Sequence, residues 1–160
     1  MRESVTHWSS ASSEQTEAFG ERLAQHLPSG ANGPVVVYLT GDLGAGKTTF
    51  AQGFVRGCGI TEAVRSPTYA LLETYELAGM TVVHMDLYRL RDPSELEALG
   101  LRDWAQRGYL WLVEWPEKAG GKLPPADIEV TLRVAVTTHE LAVSAASSFG
   151  GTWLASVNMS

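Results

Sequence analysis

The clearest hydrophobic pattern in the chain is an unbroken apolar run from Val35 to Leu39, which leads into Thr40. The run has no polar face, as is typical of a central strand that is buried on both sides of a parallel sheet. A second run of the same kind, Tyr109–Glu114, is stopped by Pro116. We therefore predict two buried strands at the centre of one sheet.

Helical periodicity appears on either side of the first run. Ser12 and Gln15 have the spacing of a capping box, and apolar residues then recur every four positions up to Leu27. This pattern predicts an amphipathic helix of roughly four turns that ends near Pro28. A second helix is predicted to begin near Lys47, directly after a glycine-rich turn.

Four further segments have the alternation of paired strands. Tyr69–Leu77 with Thr81–Leu87, and Ile128–Val136 with Glu140–Ala145, predict two antiparallel hairpins. A short acidic helix opening at Asp92 is predicted between the hairpins, because the proline that follows is favoured at an early helical position.

These elements together predict the fold class. We expect one α/β domain over residues 1–160, of the P-loop NTPase-like kind, with a mixed sheet, helices on its faces and added antiparallel hairpins. The ends, residues 1–11 and 147–160, are expected to be loose, because the last stretch is rich in serine and glycine.

Composition and charge narrow the possible functions. The chain has 160 residues, a net charge of −6 and one cysteine, so a reducing compartment is expected and we predict a cytoplasmic protein. No apolar stretch is long enough to cross a bilayer, and no secretory signal is readable. Because a protein that grips nucleic acid by itself usually carries a basic surplus, any link to nucleic acid is expected to pass through a partner.

The strongest chemical signal is the segment GDLGAGKT, which begins at Gly41 and matches the phosphate-binding pattern G-x-x-x-x-G-K-[ST]. Glycines let successive N–H groups point at phosphate oxygens, and the following helix presents its positive end to the same anion. Lys47 can reach the β- and γ-phosphates, and the Thr48 hydroxyl can ligate Mg²⁺. The residues predicted to bind the nucleotide here are Asp42, Gly44, Ala45, Gly46, Lys47, Thr48 and Thr49. We expect Lys47 to be an exposed loop charge.

A phosphate loop needs acidic help for its metal, usually from the end of a neighbouring strand. Glu114 and Asp86 both close predicted strands, and ligands gather at that edge of an open α/β sheet. His84 shares a strand face with Asp86, and a structural histidine is favoured there over a catalytic one. Trp115 is equally compatible with a contact at the site and with a place in the core.

The segment Ser66, Pro67 and Thr68 follows the predicted phosphate-loop helix, where switch loops of nucleotide hydrolases lie. Its hydroxyls can sense a γ-phosphate, and a plain turn with a side-chain hydrogen bond is the equal alternative.

The combination of motifs resembles the TsaE (YjeE) family of bacterial P-loop ATPases of tRNA modification. The matching pieces, in the order of the chain, are GDLGAGKTTF, SPTYALLETY, HMDLYRL, ELEALGLRDW and LVEWPE. The resemblance runs from about Ser12 to Ala145.

The resemblance implies a weak Mg²⁺-dependent ATPase that supports formation of threonylcarbamoyladenosine on tRNA. The transfer itself would belong to the partner proteins TsaD and TsaB, and tRNA would be met only through that complex. It further implies that Thr48 and Glu114 hold Mg²⁺, that Asp86 lies near the γ-phosphate, and that Lys47, Asp86 and Glu114 form the catalytic set. Trp115 and the segment 66–68 would line the site or respond to its state. Ser13 and the last hairpin would flank the nucleoside.

One departure from the family pattern concerns Thr138 and His139, which stand where relatives carry Gly-Arg. Other functions remain as alternatives: a small-molecule kinase, or a binding module that uses ATP occupancy as a signal without hydrolysis. A GTPase is disfavoured because neither Asn32 nor Asn158 is followed by lysine, as a guanine-reading Asn-Lys-x-Asp motif requires.

Overall fold

The computed structural model describes residues 5–62 and 71–159. Within these ranges, seven strands form one mixed sheet. The strands are β1 Val5–Ser10, β2 Val35–Gly41, β3 Leu72–Leu77, β4 Met80–Asp86, β5 Tyr109–Glu114, β6 Ile128–Val134 and β7 His139–Ala145. The α-helices are α1 Ser13–Gln25, α2 Lys47–Gly57 and α3 Ser148–Asn158. Short 3-10 helices lie at Pro93–Leu99, Leu101–Trp104 and Pro116–Ala119.

The sheet has the order β1-β7-β6-β2-β5-β4-β3. Its centre is parallel, since β2 pairs in parallel with both β5 and β6, and β4 pairs in parallel with β5. Its margins are the two predicted hairpins, β3–β4 and β6–β7, with β1 added antiparallel to β7. The prediction of an α/β domain with a mixed sheet and added hairpins is confirmed.

The two faces of the sheet are covered differently. Alternate residues of β2, among them Val37, pack with Phe50 and Phe54 of α2 in a core under the three α-helices. The other face of β2, which carries Val36, packs with Trp111 and the 3-10 segments. This two-sided burial explains why β2 and β5 read as unbroken apolar runs.

Helix α1 begins where the sequence predicts, since the Ser12 hydroxyl accepts a hydrogen bond from the backbone N–H of Gln15. Its contact with α2 depends on glycine: a Cβ atom at Gly20 would collide with the backbone of Phe50, and one at Gly53 with the backbone of Glu17. The two helix backbones therefore touch, which holds the first turn of α1 at a fixed place beside α2.

The prediction of loose ends is wrong for the described residues. Val5–Ser10 forms the edge strand β1, and Ser147 caps α3 by accepting a hydrogen bond from the Gly150 N–H. Trp153 of α3 is fully buried, and its indole N–H donates to the Leu23 carbonyl oxygen. Of the serines and glycines that suggested disorder, Ser147 is the helix cap and Gly150 packs closely against the Asp127 backbone, while Trp153 supplies the burial. No helix of the described residues is long and apolar enough to span a membrane.

Candidate nucleotide site

The candidate site lies at the carboxyl edge of the parallel strands. In the sheet register, Glu114 at the end of β5 stands beside Leu39 of β2 on one side and Asp86 of β4 on the other. The two predicted carboxylates are thus brought side by side, next to the loop that joins β2 to α2. Parallel pairing causes this, because it aligns the ends of strands that are distant in sequence.

The loop from Gly41 to Lys47, which we call the glycine loop, has a backbone conformation that depends on its glycines. Gly44 and Gly46 have φ angles of 82° and 105°, values that residues with a Cβ rarely adopt. Gly46 then leads directly into the first turn of α2, so that the positive end of the helix is presented to the loop.

Lys47 is buried, with 4% of its surface exposed, so the expectation of an exposed loop charge is wrong. Its ammonium group donates to the carbonyl oxygens of Gly41 at 2.5 Å and Asp42 at 2.8 Å, and it lies 4.2 Å from the centre of the Trp115 ring. Burial lowers the pKa of Lys47, while nearby carboxylates, Glu114 first among them, act in the opposite direction.

Glu114 is held at both carboxylate oxygens and is 1% exposed. The Thr48 hydroxyl donates to Oε1 at 2.9 Å, and the ring nitrogen Nε2 of His84 lies 2.7 Å from Oε2. Because a carboxylate only accepts, Nε2 carries the donated proton. A buried acid with two partners is a satisfied group, and the two partners come from different elements, α2 and β4.

The donor set at Thr48 and Glu114 fits Mg²⁺. A hydroxyl and a carboxylate in contact, beside a phosphate-type loop, are oxygen ligands of the kind that Mg²⁺ takes from a protein when phosphates complete its shell. In residues 5–62 and 71–159, this site included, no group of three His, Cys, Asp or Glu side chains is placed to hold a metal ion. A metal at this site would depend on the nucleotide for its remaining ligands.

Trp115 stands over the loop because of its backbone. Trp115 has a φ of 60°, and among the described residues it is the only non-glycine residue with a positive φ. This backbone conformation directs the ring toward Lys47. The Tyr88 ring is 5.0 Å away, centre to centre. A pocket of about 250 Å³ results, which we call the lysine pocket. Its lining is Leu43, Gly44, Gly46, Lys47, Thr48, Thr49, Asp86, Tyr88, Glu114 and Trp115.

A second pocket, of about 370 Å³, adjoins the first and shares Gly44, Gly46 and Thr49 with it. We call it the hairpin pocket, because the β6–β7 connection forms one of its walls. Its remaining lining is Ala11, Ser12, Ser13, Thr16 and the residues 134–139. Ser13 and the last hairpin, both expected near the nucleoside, therefore face one cavity.

The departure at Thr138 and His139 has a structural consequence. The Nδ1 atom of His139 lies 2.8 Å from the carbonyl oxygen of Ala45, so the hairpin is tied to the glycine loop by this ring. Both residues line the hairpin pocket.

Of the other predicted site residues, Asp42 lies at the site, whereas the predicted switch segment cannot be placed in it. Asp42 contributes its backbone, since its carbonyl oxygen accepts from both Lys47 and the Ala45 N–H. The predicted switch residues Ser66, Pro67 and Thr68 lie outside the described residues.

Sequence reasoning underrated three side chains: His84, which is bonded to Glu114, and Tyr88 and His139, which line the pockets. Tyr88 and His84 stand in the segment HMDLYRL, so their spacing around Asp86 was a usable signal. For His139 the chain offered only a departure from the family pattern, which predicts no particular contact.

The sheet order and a glycine loop between the central strand and α2 define an α/β protein of the P-loop NTPase-like class. The family model described as "Threonylcarbamoyl adenosine biosynthesis protein TsaE" matches residues 10–141. The chain therefore belongs to the TsaE family, whose place is in the biosynthesis of threonylcarbamoyladenosine on tRNA.

Individual relatives agree with this assignment. The tRNA threonylcarbamoyladenosine biosynthesis protein TsaE of Haemophilus influenzae is 48% identical over 115 residues, which are 71% of this chain and 73% of that protein. The protein of the same name from Bacillus subtilis is 37% identical over 126 residues, covering 79% and 76% of the two chains. The crystal structure of Bacillus subtilis YdiB superposes with a TM-score of 0.78 at 26% identity, covering 99% of this chain and 97% of that one.

Proposed function

We propose that this protein binds ATP with Mg²⁺ and hydrolyses it slowly, in the cytoplasm, as the ATPase subunit that supports a TsaB–TsaD transferase. The observation that carries the proposal is the contact between Thr48 and Glu114 at 2.9 Å beside Lys47. A phosphate-loop lysine, a hydroxyl and a strand-end carboxylate are the parts that P-loop hydrolases use together.

Each residue has a distinct part in this proposal. Lys47 would leave the carbonyl oxygens of Gly41 and Asp42 and neutralise charge on the β- and γ-phosphates, which is an electrostatic contribution to the transition state. The backbone N–H groups of the glycine loop would hold the phosphates between them. Trp115, in contact with the ammonium group, would limit the access of water to it.

Thr48 and Glu114 are the residues that would hold Mg²⁺. The metal would supply charge neutralisation between the phosphates. Asp86, beside Glu114 in the register, is a second acceptor at the same edge and would orient the attacking water by accepting a hydrogen bond from its O–H group. The backbone N–H of Tyr88 donates to Oδ1 of Asp86 at 3.0 Å, which holds the carboxylate in the lining of the lysine pocket.

The nucleoside is assigned to the hairpin pocket. That pocket adjoins the lysine pocket across Gly44, Gly46 and Thr49, and its volume suits a base and sugar. We expect adenine to be preferred over guanine, because the chain has no Asn-Lys-x-Asp guanine reader. Competition between ATP and GTP for the purified protein tests this, and equal or tighter GTP binding would contradict it.

The partner part of the proposal is supported by the family and by the charge of the chain. A net charge of −6 disfavours independent binding of tRNA. If partners alter the preferred nucleotide state, the nucleotide must alter partner affinity by the same factor.

The experiment measures binding of the protein to a purified TsaB–TsaD complex with ATP, with ADP and without nucleotide, together with the hydrolysis rate. We expect nucleotide-dependent affinity and a changed rate. Equal affinity in all three conditions with an unchanged rate would reject the partnership.

Two alternatives differ from the proposal in what happens to ATP. A small-molecule kinase would release ADP only when an acceptor is present, and an ATP-responsive binding module would release none. A turnover assay of the chain alone, with TsaB–TsaD, and with candidate acceptors separates the three.

A further inference from the structure

We propose that His84 is a positioning residue for the nucleotide site: its hydrogen bond to Oε2 of Glu114 fixes the carboxylate so that Oε1 faces Thr48 and a divalent cation. The inference rests on the proposed Mg²⁺-dependent binding of ATP. It assigns to His84 a role that acts only through Glu114.

The placement of His84 in the sheet is the first support. It stands inside β4, opposite Leu112 of β5, and none of its surface is exposed. Alternation along β4 puts it on the same face as Val82, whose side chain belongs to the core beneath α2. His84 therefore contacts Glu114 from the buried interior and, unlike Glu114, does not line the lysine pocket.

The ring itself is the second support, because packing alone does not account for it. Only Nε2 has a partner; the buried Nδ1 atom has no hydrogen-bond partner in the described part of the chain. Leaving a buried polar atom unpaired is unfavourable, so an apolar side chain would serve the core better. What the ring provides in return is the bond to Glu114.

The third support is that the two carboxylate oxygens of Glu114 have different hydrogen-bond partners. The terminal torsion of a glutamate is broad, so the side chain does not by itself fix the plane of its carboxylate. Thr48 holds Oε1 and His84 holds Oε2. A cation bound by Thr48 and Glu114 would take up the oxygen that now accepts from Thr48. His84 is then the group that still sets the plane, as partners behind metal ligands commonly do.

A matched pair of amide variants tests the proposal. His84→Gln carries an amide nitrogen at about the reach of Nε2, whereas His84→Asn reaches only as far as Nδ1. Both remain polar, so they differ mainly in whether a donor meets Glu114. His84→Leu removes the donor and the unpaired nitrogen together. Titration with a fluorescent ATP analogue, at a series of Mg²⁺ concentrations and in EDTA, gives the affinity and the Mg²⁺ concentration at half effect.

We expect the Mg²⁺ concentration that gives half of the full effect on ATP binding to rise at least about tenfold in His84→Asn and His84→Leu. In EDTA, both variants should bind the ATP analogue with the affinity of the unchanged protein. His84→Gln should lie close to the unchanged protein. Thermal unfolding is recorded for each variant, and titrations are made where it is folded. If His84→Leu does not fold, the amide pair decides.

The outcomes separate this inference from the proposed function. If the unchanged protein binds ATP with a clear Mg²⁺ effect and the Asn and Gln variants share it equally, His84 is a packing residue and the inference is overturned. If the unchanged protein shows no Mg²⁺ effect, the proposed metal site fails first, and the role of His84 fails with it.

Discussion

The lysine pocket and the hairpin pocket meet at the glycine loop, yet they are built in opposite ways. The lysine pocket holds charged side chains that are buried and paired, such as Lys47 and Glu114. The hairpin pocket is lined by hydroxyl side chains, small apolar residues and one histidine, and its Val136 is fully exposed. A buried lysine beside a carboxylate suits a phosphate chain with its cation, whereas a wall of small polar and apolar groups suits a nucleoside recognised by shape and a few hydrogen bonds.

The largest effect is expected at the lysine pocket. Lys47→Ala should reduce ATP turnover by roughly 30- to 900-fold, corresponding to about 2–4 kcal/mol of lost transition-state stabilisation. Lys47→Met is the matched variant, because it keeps the aliphatic stem of this buried side chain and removes only the charge. We expect both to lose turnover alike in a steady-state assay while remaining folded. Normal turnover in a folded Lys47→Met protein would contradict the assignment of the lysine pocket to phosphate.

Substitutions of the two carboxylates in the lysine pocket should affect different quantities, Mg²⁺-dependent binding for Glu114 and turnover for Asp86. Glu114→Gln should weaken the enhancement of ATP binding by Mg²⁺ at least tenfold, since it removes the charged oxygen beside Thr48. Asp86→Asn should lower turnover at least tenfold and change binding less. Nucleotide titrations with Mg²⁺ and with EDTA, beside turnover assays, measure both. The reverse pattern would exchange the two roles.

A smaller effect is expected across the boundary of the pockets. His139→Ala removes the bond to the Ala45 carbonyl oxygen and should weaken ATP affinity by about two- to tenfold, the value of one hydrogen bond. Its Mg²⁺ dependence should stay unchanged, because the contact is on the nucleoside side. Glu129→Gln, at an exposed position of β6 that lines neither pocket, is the control and should leave ATP affinity unchanged. A change of Mg²⁺ dependence in His139→Ala would show that the two pockets are not separate.

The smallest effect is expected at the start of α1, where neighbouring serines have different tasks. Ser13→Ala should weaken ATP binding by about two- to threefold and leave stability unchanged, since its hydroxyl has no role in the cap. Ser12→Ala should instead cost about 1 kcal/mol of stability, because Ser12 caps the helix. Calorimetric titration and thermal unfolding of the pair measure the two effects. Equal ATP affinity in Ser13→Ala and the unchanged protein would remove Ser13 from the site.

The sequence by itself determined those features of the fold and of the lysine pocket that depend on residues close together in the chain. The apolar runs at β2 and β5 predicted central strands because burial on both faces removes the polar alternation. The glycine loop predicted its own backbone, since only glycine adopts those angles at little cost. The capping pattern at Ser12 predicted the start of α1. In each case the residues that carry the signal are neighbours in the chain, so the sequence records the interaction directly.

Only the tertiary structure decided which distant groups meet. It buried Lys47, placed the ring of His84 against Glu114, and tied His139 to Ala45. It also ordered the end of the chain around Trp153, where composition suggested a loose tail. These contacts join residues 30 to 130 positions apart, and they depend on strand register and helix packing. Strand register and helix packing depend on all the residues of the core together, so no short sequence pattern predicts them.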